Sequence, residues 1–466
     1  ILLLLASAFL ALKFLENLQN ISPTERGVPT AGLNITSNKT LPSKWTHLSI
    51  SWMPTRVIND KIYDINVSVE VSNASGEARI TLIPKEYEYF ITKYGMRKED
   101  YPLVFPPEET RSIELKVEKR SFSVEFKDLK GGREYIIVAE VKGAGGSITE
   151  KVEIPYIRQF ENIAKLDNIL VGAYYYPWYS PYRHWSEGYK GRPILGEYDS
   201  RDPIVISKHI DWATGHGIDF FIMSWWGPGS WEDITIRDFF LKNQLIDNIK
   251  FMILYESVGR LKVEGGSIDM DSPANRQILL DDFKYLENYF NDPHYLRIKG
   301  KPAVELYLAR IFKGNISGVI SSLRGLYLIG DLVYWQDPRS LSEVKYDAIT
   351  SYNMHTSVQE ILDKFEENLA RKYGEWLDSA GRLKVGFIPS VLPGFDDRAA
   401  RKGNIPLPRS ADRFRRQIEI GGRYMDSSLK MIMITTFNEW HEYTCIEPSV
   451  EEGFTYLQII KQWLRR

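Results

Sequence analysis

The sequence holds a single cysteine, Cys445, so no disulfide can close within the chain, and its neighbours EYTCIEP match no thiol-zinc spacing. Histidine is scarce as well, with seven in all and no H-E-x-x-H pair, which leaves little from which to build a metal centre. Neither G-x-G-x-x-G nor G-x-x-x-x-G-K-[ST] occurs, so nothing in the chain cradles a dinucleotide or a nucleotide phosphate in the usual way. The G-x-S-x-G elbow that poises a nucleophilic serine is missing too, although Ser224 and Ser390 fall near the ends of apolar runs. There is no long basic run: 59 Lys and Arg against 61 Asp and Glu give a net charge of −2. Nucleic-acid binding therefore lacks its electrostatic driving force. Hydrophobic residues at 43% and charged residues at 26% are those of a folded protein of 466 residues, long enough for more than one domain.

What the chain has in quantity is aromatic side chains: 12 Trp, 27 Tyr and 21 Phe. They accompany a change of pattern along the chain. Residues 1–15 begin with the uncharged run ILLLLASAFLAL ahead of Lys13, read as a signal or anchor segment. Residues 16–42 are rich in Asn, Ser, Thr and Pro and read as a linker. N-glycosylation sequons at Asn20, Asn34, Asn38, Asn66, Asn73 and Asn315 fit an extracytoplasmic protein, membrane-anchored or secreted, whose only membrane contact is that first segment. Residues 43–157 alternate polar and apolar positions in short runs such as IYDINVSVEVS and REYIIVAEVKG, separated by glycine turns. Period two of this kind predicts a small antiparallel β-sandwich, and FKDLKGGREYIIVAEVKGAGGS resembles the end of a fibronectin type III or immunoglobulin-like domain. A spacer or packing role is read for it.

From residue 158 to 466 apolar β-rich runs alternate with helical spacing. Eight such runs occur, from NILVGAYYYPW (168–178) to KMIMITTFNEW (430–440), with helical segments such as HTSVQEILDKFEENLARKYGEWLD between them. Eight strand-helix units in about 300 residues predict an α/β protein with a (β/α)8 TIM barrel; a doubly wound open sheet is the alternative. A barrel carries its chemistry where strands end, and these ends read YYYPWYS, SWWGPGSW, YES, YLAR, YWQD, SYNMH, PSVLPGFDD and TTFNEWHE. Aromatic, amide and carboxylate groups at one end of nearly every strand suggest a sugar-stacking cleft rather than core packing.

The last run ends in Asn438-Glu439-Trp440-His441-Glu442. Two carboxylates three residues apart, where a strand opens into a loop, can both face the mouth and divide the proton transfers that glycoside hydrolysis requires. The competing readings are a structural ion pair for either glutamate or a metal site built on Glu439, His441 and Glu442.

The runs GAYYYPWYSPYRHW, ILGEYDSRDP, GIDFFIMSWWGPG, FIPSVLPGFDD and ITTFNEWHEYTCIEPS resemble, in order over about 170–450, the characteristic segments of glycoside hydrolase family 99, the endo-α-mannosidase and endo-α-mannanase family. The resemblance implies a barrel, no metal or other cofactor, and retaining endo-cleavage of α-mannoside-containing oligo- or polysaccharides through a 1,2-anhydro sugar. It further implies that Glu439 deprotonates the 2-hydroxyl and that Glu442 is the general acid and then base. It casts Tyr175, Trp178, Trp225 or Trp226, Glu256 and Tyr352 as sugar-binding residues, beside Asn438, Trp440 and His441 of the same motif. The family commonly has NEWHEGTQIE, whereas this chain places Tyr443 and Cys445 at the Gly and Gln positions, and its segment GGSIDMDSPANR has no counterpart in the pattern. The rivals are a non-catalytic glycan-binding protein that keeps the cleft and a hydrolase of another α-glycan. A lectin needs no proton donor, which favours the enzyme.

Overall fold

The computed structural model describes residues 47–72, 75–143, 146–323, 325–341 and 346–466. The N-terminal apolar run, the linker and the sequons Asn20, Asn34, Asn38 and Asn73 lie outside the described residues. Among the described residues no helix is long and apolar enough to cross a membrane. The chain divides into two compact units, one of residues 47–87 and 105–161, the other of residues 88–104 and 162–466.

The first unit consists of two antiparallel sheets. Strands Leu48–Ile58, Lys61–Val71 and Ser121–Phe126 form one; Arg111–Val117, Gly76–Pro84, Arg133–Gly143 and Gly146–Ile157, in that spatial order, form the other. The alternation read from the sequence is used as expected: Ile65, Val67 and Val69 of one sheet and Ile80, Leu82, Ile137, Ala139 and Val141 of the other bury completely in one cluster. The first hairpin turns on Asn59 and Asp60, both at positive φ (44° and 65°), the combination that matches the twist of adjacent strands.

The second unit is a TIM-barrel-like α/β fold. Its parallel strands are β1 (Leu170–Tyr175), β2 (Phe220–Trp225), β3 (Lys250–Tyr255), β4 (Lys301–Leu306), β5 (Tyr327–Asp331), β6 (Ala348–Thr350), β7 (Gly386–Phe387 and Ser390–Val391) and β8 (Met431–Ile434). Each pairs with its sequence neighbours, and β8 pairs with β1. The two halves of β7 flank Ile388 and Pro389, and they pair with different partners, the first with β6 and the second with β8. Backbone bonds continue across the break, Ile388 N–H to Ile349 O at 3.0 Å and Met433 N–H to Pro389 O at 2.9 Å, so the sheet closes on itself.

Helices cover the outside, and three of the longer ones begin where the sequence supplies a cap. Asp202 accepts the Ile204 N–H ahead of Pro203–Thr214, Ser272 accepts the Asn275 N–H ahead of Pro273–Phe290, and Ser410 accepts the Arg413 N–H ahead of Ala411–Tyr424. The segment expected as one helix after β6 is a turn at Gln359–Leu362 followed by the helix Phe365–Leu383. Inside the barrel, the Tyr174 hydroxyl lies 2.9 and 3.0 Å from the two carboxyl oxygens of Glu305 and 3.5 Å from Met433 Sδ. These side chains from β1, β4 and β8 plug the centre, leaving the chemistry to the mouth.

Candidate active site

The loop after β8 is pinned at its base before it reaches the mouth. Thr436 N–H donates to Thr444 O at 2.9 Å, Ile446 N–H returns to Thr436 O at 2.9 Å, and Glu447 N–H donates to Phe437 O at 2.8 Å. Inside this closed excursion Glu439 N–H bonds Thr436 Oγ1 at 2.8 Å, and both Glu439 and Glu442 are buried. Glu439 Oε1 accepts the His441 backbone N–H at 2.9 Å and faces His441 Nδ1 at 3.1 Å. The other ring nitrogen, Nε2, lies 2.9 Å from the carbonyl of His184, which can only accept. Burial works against the imidazolium, but the bond to Glu439, that carboxylate's charge and the His184 carbonyl outweigh it, so the His441 pKa rises above its ordinary value.

Glu442 has a different environment. Tyr352 donates its hydroxyl to Oε2 at 2.8 Å and Arg401 donates Nη1 to Oε1 at 2.9 Å. Burial dominates and raises this carboxyl, the Glu439 charge adds to the rise, and Arg401 and Tyr352 oppose it. Glu256 at the end of β3 completes the acidic lining. It accepts the Ser224 hydroxyl at 2.7 Å, which in turn accepts the Trp226 indole N–H at 2.9 Å. Burial, with the charges of Glu232, Glu439 and Asp331, overcomes that bond and pushes Glu256 up to about 8. Tyr176 faces all three glutamates: after burial, the charges of Glu256, Glu439 and Glu442 are what raise its hydroxyl pKa.

The expected sugar-binding residues separate by strand parity. Trp178 and Trp226 are partly exposed, with ring centroids 6.4 Å apart, and Trp178 stacks on His184 at 4.7 Å. Gly259 lets the turn after β3 lie against Trp226, since a Cβ there would come within 2.3 Å of the indole. Tyr352 stays at the mouth through its bond to Glu442, with its backbone N–H on Asp331 at 2.8 Å. Tyr175, by contrast, does not flank the site. Its hydroxyl meets His209 Nδ1 at 2.9 Å on the helix side, because Tyr174 faces inward to Glu305 and neighbours on a strand alternate. Trp225 is likewise turned outward, buried, with its indole N–H on Asp233 at 2.9 Å and its ring stacked on Tyr285. Asn438 and Trp440 are also buried in the scaffold. The Asn438 amide grips the backbone of Tyr176 from both sides, at 2.7 and 3.0 Å, and the Trp440 indole donates to Glu447 at 2.8 Å.

Sequence reasoning missed Tyr176, Ser224, Arg401 and Asp331. The first two were within reach, since the parity that turns Tyr175 and Trp225 out turns Tyr176 and Ser224 in. Arg401 and Asp331 act through contacts 41 and 21 residues away in sequence, which no local pattern reveals.

Among the described residues, His184, Glu187 and His441 offer ligand atoms within 4.8 Å of one another. Both ring nitrogens of His441 are already engaged, by Glu439 and the His184 carbonyl, so this trio is a hydrogen-bonded cluster.

Comparison with known proteins bears on this architecture. The model of glycosyl hydrolase family 99 matches residues 186–461, more than half of the chain. The chain belongs to glycosyl hydrolase family 99. It is a glycosidase. A mouse protein named glycoprotein endo-alpha-1,2-mannosidase is 26% identical over 378 residues, covering 66% of this chain and 74% of that protein. A Xenopus laevis protein of the same name is 26% identical over 291 residues, 55% of this chain and 58% of that one. Among solved structures, the GH99 endo-alpha-mannosidase from Bacteroides thetaiotaomicron in complex with BIS-TRIS-propane superposes with a TM-score of 0.52 at 22% identity, covering 64% of this chain and 97% of that one. A glycoside hydrolase-like protein gives 0.56 at 21% identity, covering 66% and 97%. These structural likenesses bear on the fold alone.

Within this family 99 chain, Tyr443 departs from the glycine of the motif, yet its φ is +52°, in the region glycine favours. Arg409 holds it there, with the guanidinium 4.3 Å from the ring centroid and Nη1 donating to Tyr443 O at 2.8 Å. Cys445 is buried, and burial raises its thiol pKa, so it is no nucleophile.

Proposed function

We propose that this glycosidase is an endo-acting α-mannosidase that cleaves α-mannoside-containing glycans with retention, using Glu439 and Glu442. The observation that carries the reading is the contrast between the two carboxyls. Glu439 is held by the His441 backbone N–H and ring Nδ1, with no cationic arginine on it among the described residues. Glu442 is buried and raised, which favours the acid. The names of the mouse and Xenopus relatives supply the sugar class.

The steps follow from mannose chemistry. Glu439 takes the proton of the 2-hydroxyl, O2 attacks C1, and the C1–leaving-group bond breaks as Glu442 gives its proton to the departing oxygen. In the second half Glu442 accepts a proton from water, the hydroxide attacks C1, the C1–O2 bond opens, and O2 recovers its proton from Glu439. Two inversions at C1 give net retention, and no protein nucleophile is needed. Trp178 and Trp226 form the stacking wall, Tyr176 and Tyr352 lie against the reacting ring, and Glu256 accepts or donates to sugar hydroxyls. The same reading has the enzyme act outside the cytoplasm, supported by the apolar run ahead of Lys13 and the sequons, with the N-terminal unit a fibronectin- or immunoglobulin-like spacer.

The test compares wild type and Glu442→Gln on an α-mannan and on a glucosyl-mannosyl fluoride, whose leaving group needs no proton. The glycan kcat/KM falls by about 10²–10⁴ in the variant, the fluoride falls far less, and the first-formed anomer is α. Zero turnover by both proteins with sugar binding retained would convert the reading to that of a lectin.

A further inference from the structure

The loop between β7 and the helix Ala411–Tyr424 reaches Glu442 twice. Asp396 N–H donates to the carbonyl of Glu442 at 2.8 Å, and Arg401 Nη1 donates to its Oε1 at 2.9 Å. We propose that Arg401 is the positioning residue for the proton donor, fixing the plane of the Glu442 carboxyl against Tyr352 and stabilising the carboxylate left behind once the proton has gone. The inference rests on the reading of Glu442 as general acid.

Although the Arg401 side chain is 44% exposed, it is not a free surface group. Its backbone N–H bonds Asp397 O at 2.7 Å, and Phe395 and Leu407 exchange two backbone bonds of 2.8 Å that close the loop beneath it. Asn404 donates to Asp397 Oδ2 at 2.7 Å and accepts from Ser357 at 3.1 Å, while His355 bonds Ile405 O at 2.6 Å and stacks on Phe395 at 4.1 Å. The loop is thereby tied to the one after β6, which carries Tyr352. Arg401 and Tyr352 then take one lone pair on each oxygen of Glu442, leaving the remaining pairs for the leaving oxygen and for the water that follows.

The ionisable groups around Glu442 come from five strands' ends: Arg401 and, behind it at 3.8 Å, Asp397 from β7; Glu439 with His441 from β8; Tyr352 from β6; Tyr176 from β1; Tyr307 from β4. Arg401 supplies the cation that touches the carboxyl. An opposite charge at such a distance lowers a carboxyl pKa by about 1–3 units.

The experiment follows Glu442 by infrared difference titration against a Glu442→Gln background, in wild type, Arg401→Gln and Arg401→Lys, alongside kcat/KM–pH profiles on glycan and glycosyl fluoride. In Arg401→Gln the Glu442 titration moves up by about one pH unit or more, and the alkaline limb for the glycan moves with it. The glycan kcat/KM falls by about 10–100-fold and the fluoride by no more than about threefold, while Arg401→Lys keeps the limb near its wild-type position. An unmoved titration in Arg401→Gln, or equal losses on both substrates, overturns the proposal. A wild type that cleaves neither substrate overturns the assigned function instead, and the infrared titration still decides the role of Arg401.

Discussion

Glu256 illustrates how far one residue in this cleft is displaced from its solution chemistry. Fully buried beside Glu232, Glu439 and Asp331, it titrates at about 8 against an ordinary value of 4.5. Between those values the folded protein holds a proton that the unfolded chain has released. Unfolding therefore becomes easier as pH rises through that window, by about 1.4 kcal/mol per pH unit for a single group, and the slope vanishes outside it. His441, raised above its own ordinary value, adds a loss of the same sign as pH rises through its own titration. Glu256→Gln removes the first contribution and keeps the second. Urea unfolding at pH 5 and pH 8 should then find that the variant gains several kcal/mol on wild type between the two. Parallel profiles would mean that the carboxyl is ionised in the folded protein.

At the scale of elements, the sequence revealed where the strands lie more readily than which way their last residues turn. All eight apolar runs are strands, because parallel strands covered on both sides stay apolar throughout and so stand out from the helices between them. The NEWHE segment was recognisable for its local spacing. Facing was not recognisable, since YYYPW and SWW are aromatic on both parities and only the partner contacts, Tyr174 with Glu305 and Ser224 with Glu256, fix which is inward. Asn438 lies beyond local reading for a related reason: its amide links the β8 loop to Tyr176, 262 residues away. Asn438→Ala deletes that grip and its bond to the Tyr198 hydroxyl at 3.2 Å, and leaves a buried Tyr176 N–H without its acceptor. Stability should fall by about 2–4 kcal/mol in chemical denaturation. At temperatures where the variant remains folded, the glycan kcat/KM should fall by roughly 10-fold or more, because Tyr176 no longer holds its place among the three glutamates. Unchanged turnover would separate the clamp from the chemistry.

For the whole molecule, the boundary between the units does not fall where the change of pattern suggests. Residues 88–104 sit in sequence between strands Gly76–Pro84 and Arg111–Val117 of the first unit, yet they belong to the barrel unit. The bonds of that segment are specific. Tyr94 O accepts the Glu197 N–H at 2.6 Å, and the Tyr94 hydroxyl donates at 2.9 Å to Asp202, the residue that caps the helix Pro203–Thr214. Val104 O accepts the ammonium of Lys208, which is fully buried. Gly196, at φ +76°, passes so close that a Cβ would lie 2.0 Å from Tyr94 O. A fragment of residues 158–466, cut where strand alternation ends, keeps every strand of the barrel and every glutamate of the cleft but loses this segment. It exposes apolar surface around Phe90 and Tyr94 and removes an acceptor from a buried cation. Calorimetry should find the fragment melting on the order of 10 °C below the barrel transition of the full chain, a loss of several kcal/mol. Glutamates still held by their own loops would leave it weakly active at low temperature. Equal melting temperatures would mean that residues 88–104 lie against the barrel without stabilising it.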